Sequence, residues 1–349
     1  MDSDESKPQR RVRYKGTHPK TFKEKYKELQ PERYAEDIEK VMLKGKTPAG
    51  MHRSICVNEI IDFLQIAPGQ TGLDATLGYG GHSLEMLNCL QGEGHLFATD
   101  VDPFELPRTK DRLANLGFGE EILSIRKMNF SQIDLLAEES GPLNFVLADL
   151  GVSSMQIDNP ERGFSLKIDG PLDLRLNPKS GQSAAALLKT LSLEELYQIL
   201  VVNSDEVYAE PIAVAINNAM ERGETIETTG ALREIIKNAL EFIPKNERIE
   251  TVKKACTRCF QALRIEVNDE FGVLNSFLEK LPYVLAPNAR VAILSFHSGE
   301  DRRVKKAFQA LYRAGVYKEI APDPIRPTKE EIFHNPRARS AKLRWAIMA

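Results

Sequence analysis

The spacing of apolar positions changes several times along the 349 residues, and each change marks an element. Phe22, Tyr26, Leu29, Tyr34, Ile38 and Val41-Met42 recur every three or four residues, which predicts helix split in two by Pro31. Lys44 to Gly50 reads as a linker. Ile60, Ile61, Leu64 and Ile66 predict a short helix, Thr71-Gly72-Leu73 a strand, and Leu84, Leu87 and Leu90 the next helix. His95 to Thr99 and Phe145 to Ala148 are further strands, with a third strand-like run between them, ahead of Phe130. Strands and helices that alternate in this way over 71–150 predict a parallel sheet with right-handed crossovers.

The rhythm breaks after Asp149. Residues 160–180 are loop-like, and Ser192-Leu193-Glu194-Glu195 is a capping box. Helices are expected at 193–202, 207–221, 229–242 and 250–265. Sheet topology then resumes with a helix through Phe271, Leu274, Phe277 and Leu281, and a buried strand from Arg290 to Phe296. A last helix from Val304 to Arg313 and a closing strand from Leu343 to Ile347 complete the pattern. The expected organisation is a basic extension, 1–50, partly helical or disordered, then an α/β domain from 51–159 and 266–349. Residues 160–265 form a helical insertion within it.

Between the first strand and its helix lies Asp74-Ala75-Thr76-Leu77-Gly78-Tyr79-Gly80-Gly81-His82-Ser83. Glycines there let the backbone approach a ligand, and the helix start offers unpaired N–H groups. Asp100, ending the second strand, is placed to take the ribose hydroxyls of a nucleotide-like cofactor. A dinucleotide fingerprint needs glycine at 78, 80 and 83, but position 83 is serine. With Phe130 and Asp149 following at the ends of later strands, and no pyrophosphate to cradle, S-adenosylmethionine fits better than a nicotinamide dinucleotide.

Asp149 through Gln156 is a second focus. Enzymes of this fold class that methylate amines hold the target nitrogen after the fourth strand. An exocyclic amine on a base is a poor nucleophile, so an acceptor for its N–H groups favours attack, and positioning does most of the work. Asp149 or a carbonyl of the next loop can supply that acceptor; an acid capping the next element reads equally well. Arg162, Phe164 and Arg175 suit stacking a base and holding phosphates, as they suit a loop closed by an Arg–Asp pair. His82 either meets the cofactor carboxylate or caps its helix, and His297 lies on the same sheet edge. Arg337 and Arg339 have the spacing of a phosphate-contacting stretch or of a solvated loop.

Charge adds an asymmetry to this picture. The net −3 hides +4 over residues 1–48, +7 over 301–349 and −14 between them. Basic ends suit contact with nucleic acid, as they suit solvated tails. No apolar run reaches the length of a membrane span and the N-terminus has no signal-peptide core, so a cytoplasmic address is expected. Cys256 and Cys259 lack the second ligand pair that zinc needs; they are expected reduced on one helix face, and no metal is expected.

Seven motifs in order now resemble one family: 74–83, Asp100-Val101-Asp102-Pro103, 149–154, Glu161-Arg162-Gly163-Phe164-Ser165 with 169–175, 257–265, Ser295-Phe296-His297-Ser298, and 335–340. It is the bacterial ribosomal small-subunit RNA methyltransferase H family, and the likeness runs from about His52 to the C-terminus. The resemblance implies a Rossmann-like class I methyltransferase sheet with an inserted helical domain. It implies methylation of the N4 amine of a cytidine in 16S rRNA at the decoding centre, and often a homodimer. For S-adenosylmethionine it implies contacts from Gly80, Gly81, His82, Asp100, Phe130, Asp149 and Gln156. Arg258 and Arg264, inside 257–265, join Arg162, Phe164, Arg175, Arg337 and Arg339 as expected RNA contacts. Two departures stand out. Residues 1–50 have no counterpart in the typical member, and Val207, Glu210 and Pro211 stand where the family usually carries Arg and Lys. A related methyltransferase acting on another RNA or on protein, or a non-catalytic assembly factor, is the alternative.

Overall fold

A computed structural model describes residues 54–349. The expected helices between Thr21 and Leu43, and the whole extension 1–50, lie outside the described residues. Seven strands form one sheet in the order β3-β2-β1-β4-β5-β7-β6. They are β1 (Thr71–Asp74), β2 (His95–Asp100), β3 (Leu123–Lys127), β4 (Leu143–Asp149), β5 (Leu285–Ser295), β6 (Tyr317–Ile320) and β7 (Lys342–Met348). The first five pair in parallel; β7 runs antiparallel to both β5 and β6. The order reverses between β1 and β4, so the ends of those strands open a crevice where α/β sheets bind ligands.

Helices α1 (Val57–Leu64), α2 (Gly81–Leu90) and α3 (Glu105–Asn115) pack on one face. They bury Ile60, Leu64, Met86, Leu87, Leu90 and Leu113 against Leu96, Ala98, Phe145, Leu147, Ala292 and Leu294. The alternate residues Phe97, Val146, Ala148, Val291 and Ile293 point the other way, as the period of two requires. They meet α4 (Ile133–Ser140), α11 (Glu270–Val284) and α12 (Ser298–Arg313). Gly72 is needed where it stands: a Cβ there would fall 2.1 Å from the ring of Phe145, its partner on β4.

Between β4 and α11 the chain leaves the sheet through α5 (Ser154–Asp158). It then builds α6 (Ala184–Leu188), α7 (Leu193–Ser204), α8 (Ala209–Glu221), α9 (Thr229–Ala239) and α10 (Lys245–Asn268). These helices share their own apolar cluster, with Leu200, Ile212, Ile216, Leu232, Ile236, Phe260 and Leu263 inside it. The capping box at Ser192 forms as expected. Cys256 and Cys259 are free and buried in this cluster. A final short helix, α13 (Lys329–His334), precedes β7.

Several boundaries differ from the sequence expectation. The helix expected at 250–265 is the 24-residue α10, because Lys245 to Glu250 continue the turn that Pro244 opens. The helix expected from Val304 begins at Ser298, where Glu300 accepts backbone N–H groups from Phe296 and His297. Strand β6, with the polar sequence Tyr-Lys-Glu-Ile, carries no apolar alternation and is set by pairing with β7.

Candidate active site

The end of β1 runs into a turn that only glycine can make. Gly80 has φ +71°, and a Cβ on it would lie 2.8 Å from Thr109 Cγ2. Thr109 is held there by its hydroxyl, which donates to the Gly78 carbonyl at 2.7 Å. Gly81 begins α2, with His82 and Ser83 buried in its first turn. Serine at 83 has a local reason: its Oγ donates to Asp74 Oδ2 at 2.6 Å. The other oxygen of Asp74 accepts the Thr76 N–H at 3.1 Å, and the Thr76 hydroxyl accepts the Asp149 N–H at 2.6 Å. Asp74 and Thr76 therefore tie the glycine turn to the end of β4, a link that strand-end chemistry alone did not single out.

Asp100, at the end of β2, accepts the Gly78 N–H at Oδ2 (2.7 Å) and the Asp102 N–H at Oδ1 (2.8 Å). Burial pushes its carboxyl up to about 6 against the lowering effect of those two bonds. Each oxygen keeps a lone pair for a ligand hydroxyl. Phe130 follows β3, half-buried, with its ring edge-on to Phe277 at 5.2 Å.

Asp149 closes β4 with its side chain 28% exposed, enough to meet a ligand. Its Oδ2 stands 3.5 Å from His82 Nε2, while Oδ1 is buried without a hydrogen-bond partner among the described residues. Neither ring nitrogen of His82 makes a hydrogen bond there either. Orphaned buried acceptors and donors of this kind mark places where a ligand completes the bonding. The glycine cradle, the acid at the end of β2 and the orphaned pair beside β4 together fit S-adenosylmethionine.

Gln156 and Arg162 share a partner. Both end on Asp102, a fully buried acid two residues past Asp100. Gln156 Nε2 donates to Asp102 Oδ2 at 2.8 Å, and Arg162 Nη1 donates to the same oxygen at 2.7 Å. Burial alone would raise the Asp102 carboxyl, but Gln156 and Arg162 together hold it below its ordinary value. Arg162 Nη2 donates to the carbonyls of Arg175 and Leu176 at 3.1 and 2.8 Å. Its side chain is 6% exposed, so it organises the loop rather than offering charge to RNA. Phe164 packs against the helical cluster, with the Arg162 guanidinium 5.8 Å from its ring centre.

The remaining arginines divide by what they already hold. Arg175 forms a fork with Asp173, at 2.9 and 2.6 Å, and Arg264 one with Glu270, at 2.7 and 2.9 Å. Arg258 stands 3.9 Å from the buried Glu206 and is partly exposed. Arg337 pairs with Asp158 at 2.6 Å. Arg339 is exposed and has no partner among the described residues. Glu270, His297 and Glu300 bring ligand-type atoms within 4.8 Å of one another. Both Glu270 oxygens are committed to Arg264, and His297 Nε2 is 3.2 Å from Glu300 Oε1, which makes this a charge network between α10, α11 and α12.

A sheet of this order, a glycine turn after β1 and acids ending β2 and β4 define a class I S-adenosylmethionine-dependent methyltransferase. Residues 49–348 match the MraW methylase family, and the chain belongs to that family. It is 67% identical to "Ribosomal RNA small subunit methyltransferase H 2" of Alkaliphilus metalliredigens over 100% of both chains. It is 65% identical to "Ribosomal RNA small subunit methyltransferase H 1" of Lachnoclostridium phytofermentans, over 97% of this chain and 93% of that one. A relative from Halorhodospira halophila, "Ribosomal RNA small subunit methyltransferase H", is 38% identical over 85% of this chain and 94% of its own. The first match spans all 349 residues, so a relative with a counterpart to the N-terminal segment exists.

Proposed function

We propose that this methyltransferase modifies the N4 amine of a cytidine in the 16S rRNA of the small ribosomal subunit. The observation that carries the reading is Asp149, a strand-end carboxyl beside the glycine turn with an unsatisfied acceptor oxygen. When bound, S-adenosylmethionine supplies a methyl group on a cationic sulfur, which departs as a neutral thioether with the electron pair of the broken bond. Gly80, Gly81, Asp100 and Phe130 would hold the cofactor, and Gln156 and Arg162 would fix the loop after β4 around it. Asp149 would accept an N–H of the amine, which turns the nitrogen lone pair toward the methyl carbon.

The helical segment 160–265 is inferred to shape the RNA site. Arg258 and Arg339, the two expected contacts not bound in a tight local pair, are assigned to RNA phosphates. The reading places the protein in the cytoplasm with ribosomal subunits; among the described residues no helix is long and apolar enough to cross a membrane. A homodimer is expected, and sedimentation of the full chain tests it. Nucleoside mass spectrometry of 16S rRNA from cells with and without the gene tests the function: loss of N4-methylated cytidine supports it. An unchanged nucleoside profile, together with no methyl transfer to isolated small subunits, would overturn it.

A further inference from the structure

We propose that His82 is a positioning residue for proton removal: it holds Asp149 as an oriented carboxylate anion, and Asp149 takes the proton that leaves the methylated amine. The proposal rests on the methyl-transfer reading above and adds a role for His82 beyond touching the cofactor.

An amine that uses its lone pair to form a new N–C bond carries one proton too many. That proton needs an acceptor at the nitrogen, and an ionised carboxylate is the strongest one at the end of β4. A cation beside a carboxylate in a half-closed site favours the anion and fixes its orientation. His82 is the candidate: it is 5% exposed, and its Nε2 lies 3.5 Å from Asp149 Oδ2. At that distance the contact is long for a hydrogen bond and short for charge coupling.

The groups around His82 favour its charged form. Asp149 faces it from β4, Asp74 from β1 and Glu331 from α13. Burial works against the charge, but these three acids outweigh it and raise the imidazole above its ordinary value. Glu331 is held in place by the Cys56 N–H, which it accepts at 2.8 Å. Around Asp149 itself stand His82, Asp74 and the Cys56 thiol, which burial pushes up to about 12, so the thiol stays protonated. His82 is then the cation among the groups facing Asp149. The anchoring of the pair is rigid: the Asp149 N–H is on the Thr76 hydroxyl, and Ser83, next to His82, is on Asp74.

The coupling is read first without substrate or cofactor. The imidazole resonances of the full chain are followed by NMR against pH, with His82 assigned by its absence in His82→Gln. The His82 midpoint should lie above the free value, and Asp149→Asn should lower it by about one pH unit or more. Asp149→Ser provides a second variant if the asparagine chain fails to fold. An unchanged midpoint in the folded variant overturns the proposal while leaving the methyltransferase reading intact. Turnover then gives the second reading. His82→Gln should cut kcat by roughly a hundredfold and shift the acid limb of its pH profile upward. Calorimetric affinity for S-adenosylmethionine reports the cofactor contact of His82 separately, and it should fall by much less than kcat. Lost affinity with an unchanged kcat profile would make His82 a cofactor ligand only. If the parent fails to methylate small subunits while Asp149 still sets the His82 midpoint, the functional reading is at fault and not the pairing.

Discussion

Arg162 and Asp102 meet at 2.7 Å with their side chains 6% and 1% exposed, an ion pair taken out of water. It joins the turn after β2 to the loop that opens the helical insertion, and Asp102 in turn donates its N–H to Asp100. Removing one partner of such a pair strands a buried charge, at a cost of about 3–5 kcal/mol. Asp102→Ala should therefore lower unfolding free energy by about that amount in urea titration. The pair should also give an acid limb to stability. The Asp102 carboxyl is held low, so its contribution is present above the ordinary carboxylate range and is lost as pH falls through the depressed value. A denaturation midpoint within error of the parent would show that the pair is not a structural tie.

Asp100 predicts the opposite sign for cofactor binding and for stability. With its carboxyl near 6, the ionised form that bonds ribose hydroxyls best is gained as pH rises through that value. Affinity for S-adenosylmethionine should rise by roughly tenfold between about pH 5 and pH 7. The cofactor-free fold should lose stability over the same rise, because the unfolded chain gives up this proton more readily. Asp100→Ala should weaken binding by about tenfold or more and abolish the pH trend. A flat affinity profile in the parent protein is the contrary result.

For Asp149 the expected signature is kinetic. Asp149→Ala should lower kcat by roughly a hundredfold or more, with a smaller change in cofactor affinity. Single-turnover methylation of small subunits beside calorimetric titration separates the two. A rise confined to the Michaelis constant for the cofactor would make Asp149 a binding residue.

The RNA assignments make a prediction about salt. Each phosphate neutralised releases counterions, so Arg339→Ala should weaken RNA binding and reduce the slope of log affinity against log salt by about one. Val207, Glu210 and Pro211 leave the insertion short of charge, while residues 1–48 carry net +4. Deleting 1–48 should weaken RNA binding and flatten its salt dependence, with cofactor affinity unchanged. Parallel slopes and equal affinities for the truncated and full chains would show that the N-terminal segment does not contact RNA.

Much of this architecture is legible in the chain because its signals are local. Over 71–150 short apolar runs alternate with segments of period near four; the runs of β2 and β4 are buried on both faces of the sheet. The glycine turn and the acids at 100 and 149 sit at strand ends, where a parallel sheet must present its ligands. Serine at 83 reads from sequence only as a missing glycine; its bond to Asp74 shows why that residue belongs there.

What the chain could not declare is which charges meet. Arg162 and Arg339 look alike as basic residues in loops, yet one is buried on Asp102 and the other is exposed. Asp102 reads as the neighbour of Asp100 until Gln156 and Arg162, 54 and 60 residues away, converge on it. His82 and Asp149 come from different strand ends and meet only because β1 and β4 are neighbours in the sheet. Strand β6 exists because β7 supplies its hydrogen bonds, since its own residues carry no pattern. Periodicity and turn chemistry act within a few residues and so survive in the sequence. The pairing of charges depends on chain segments brought together by the sheet, and only the tertiary structure decides it.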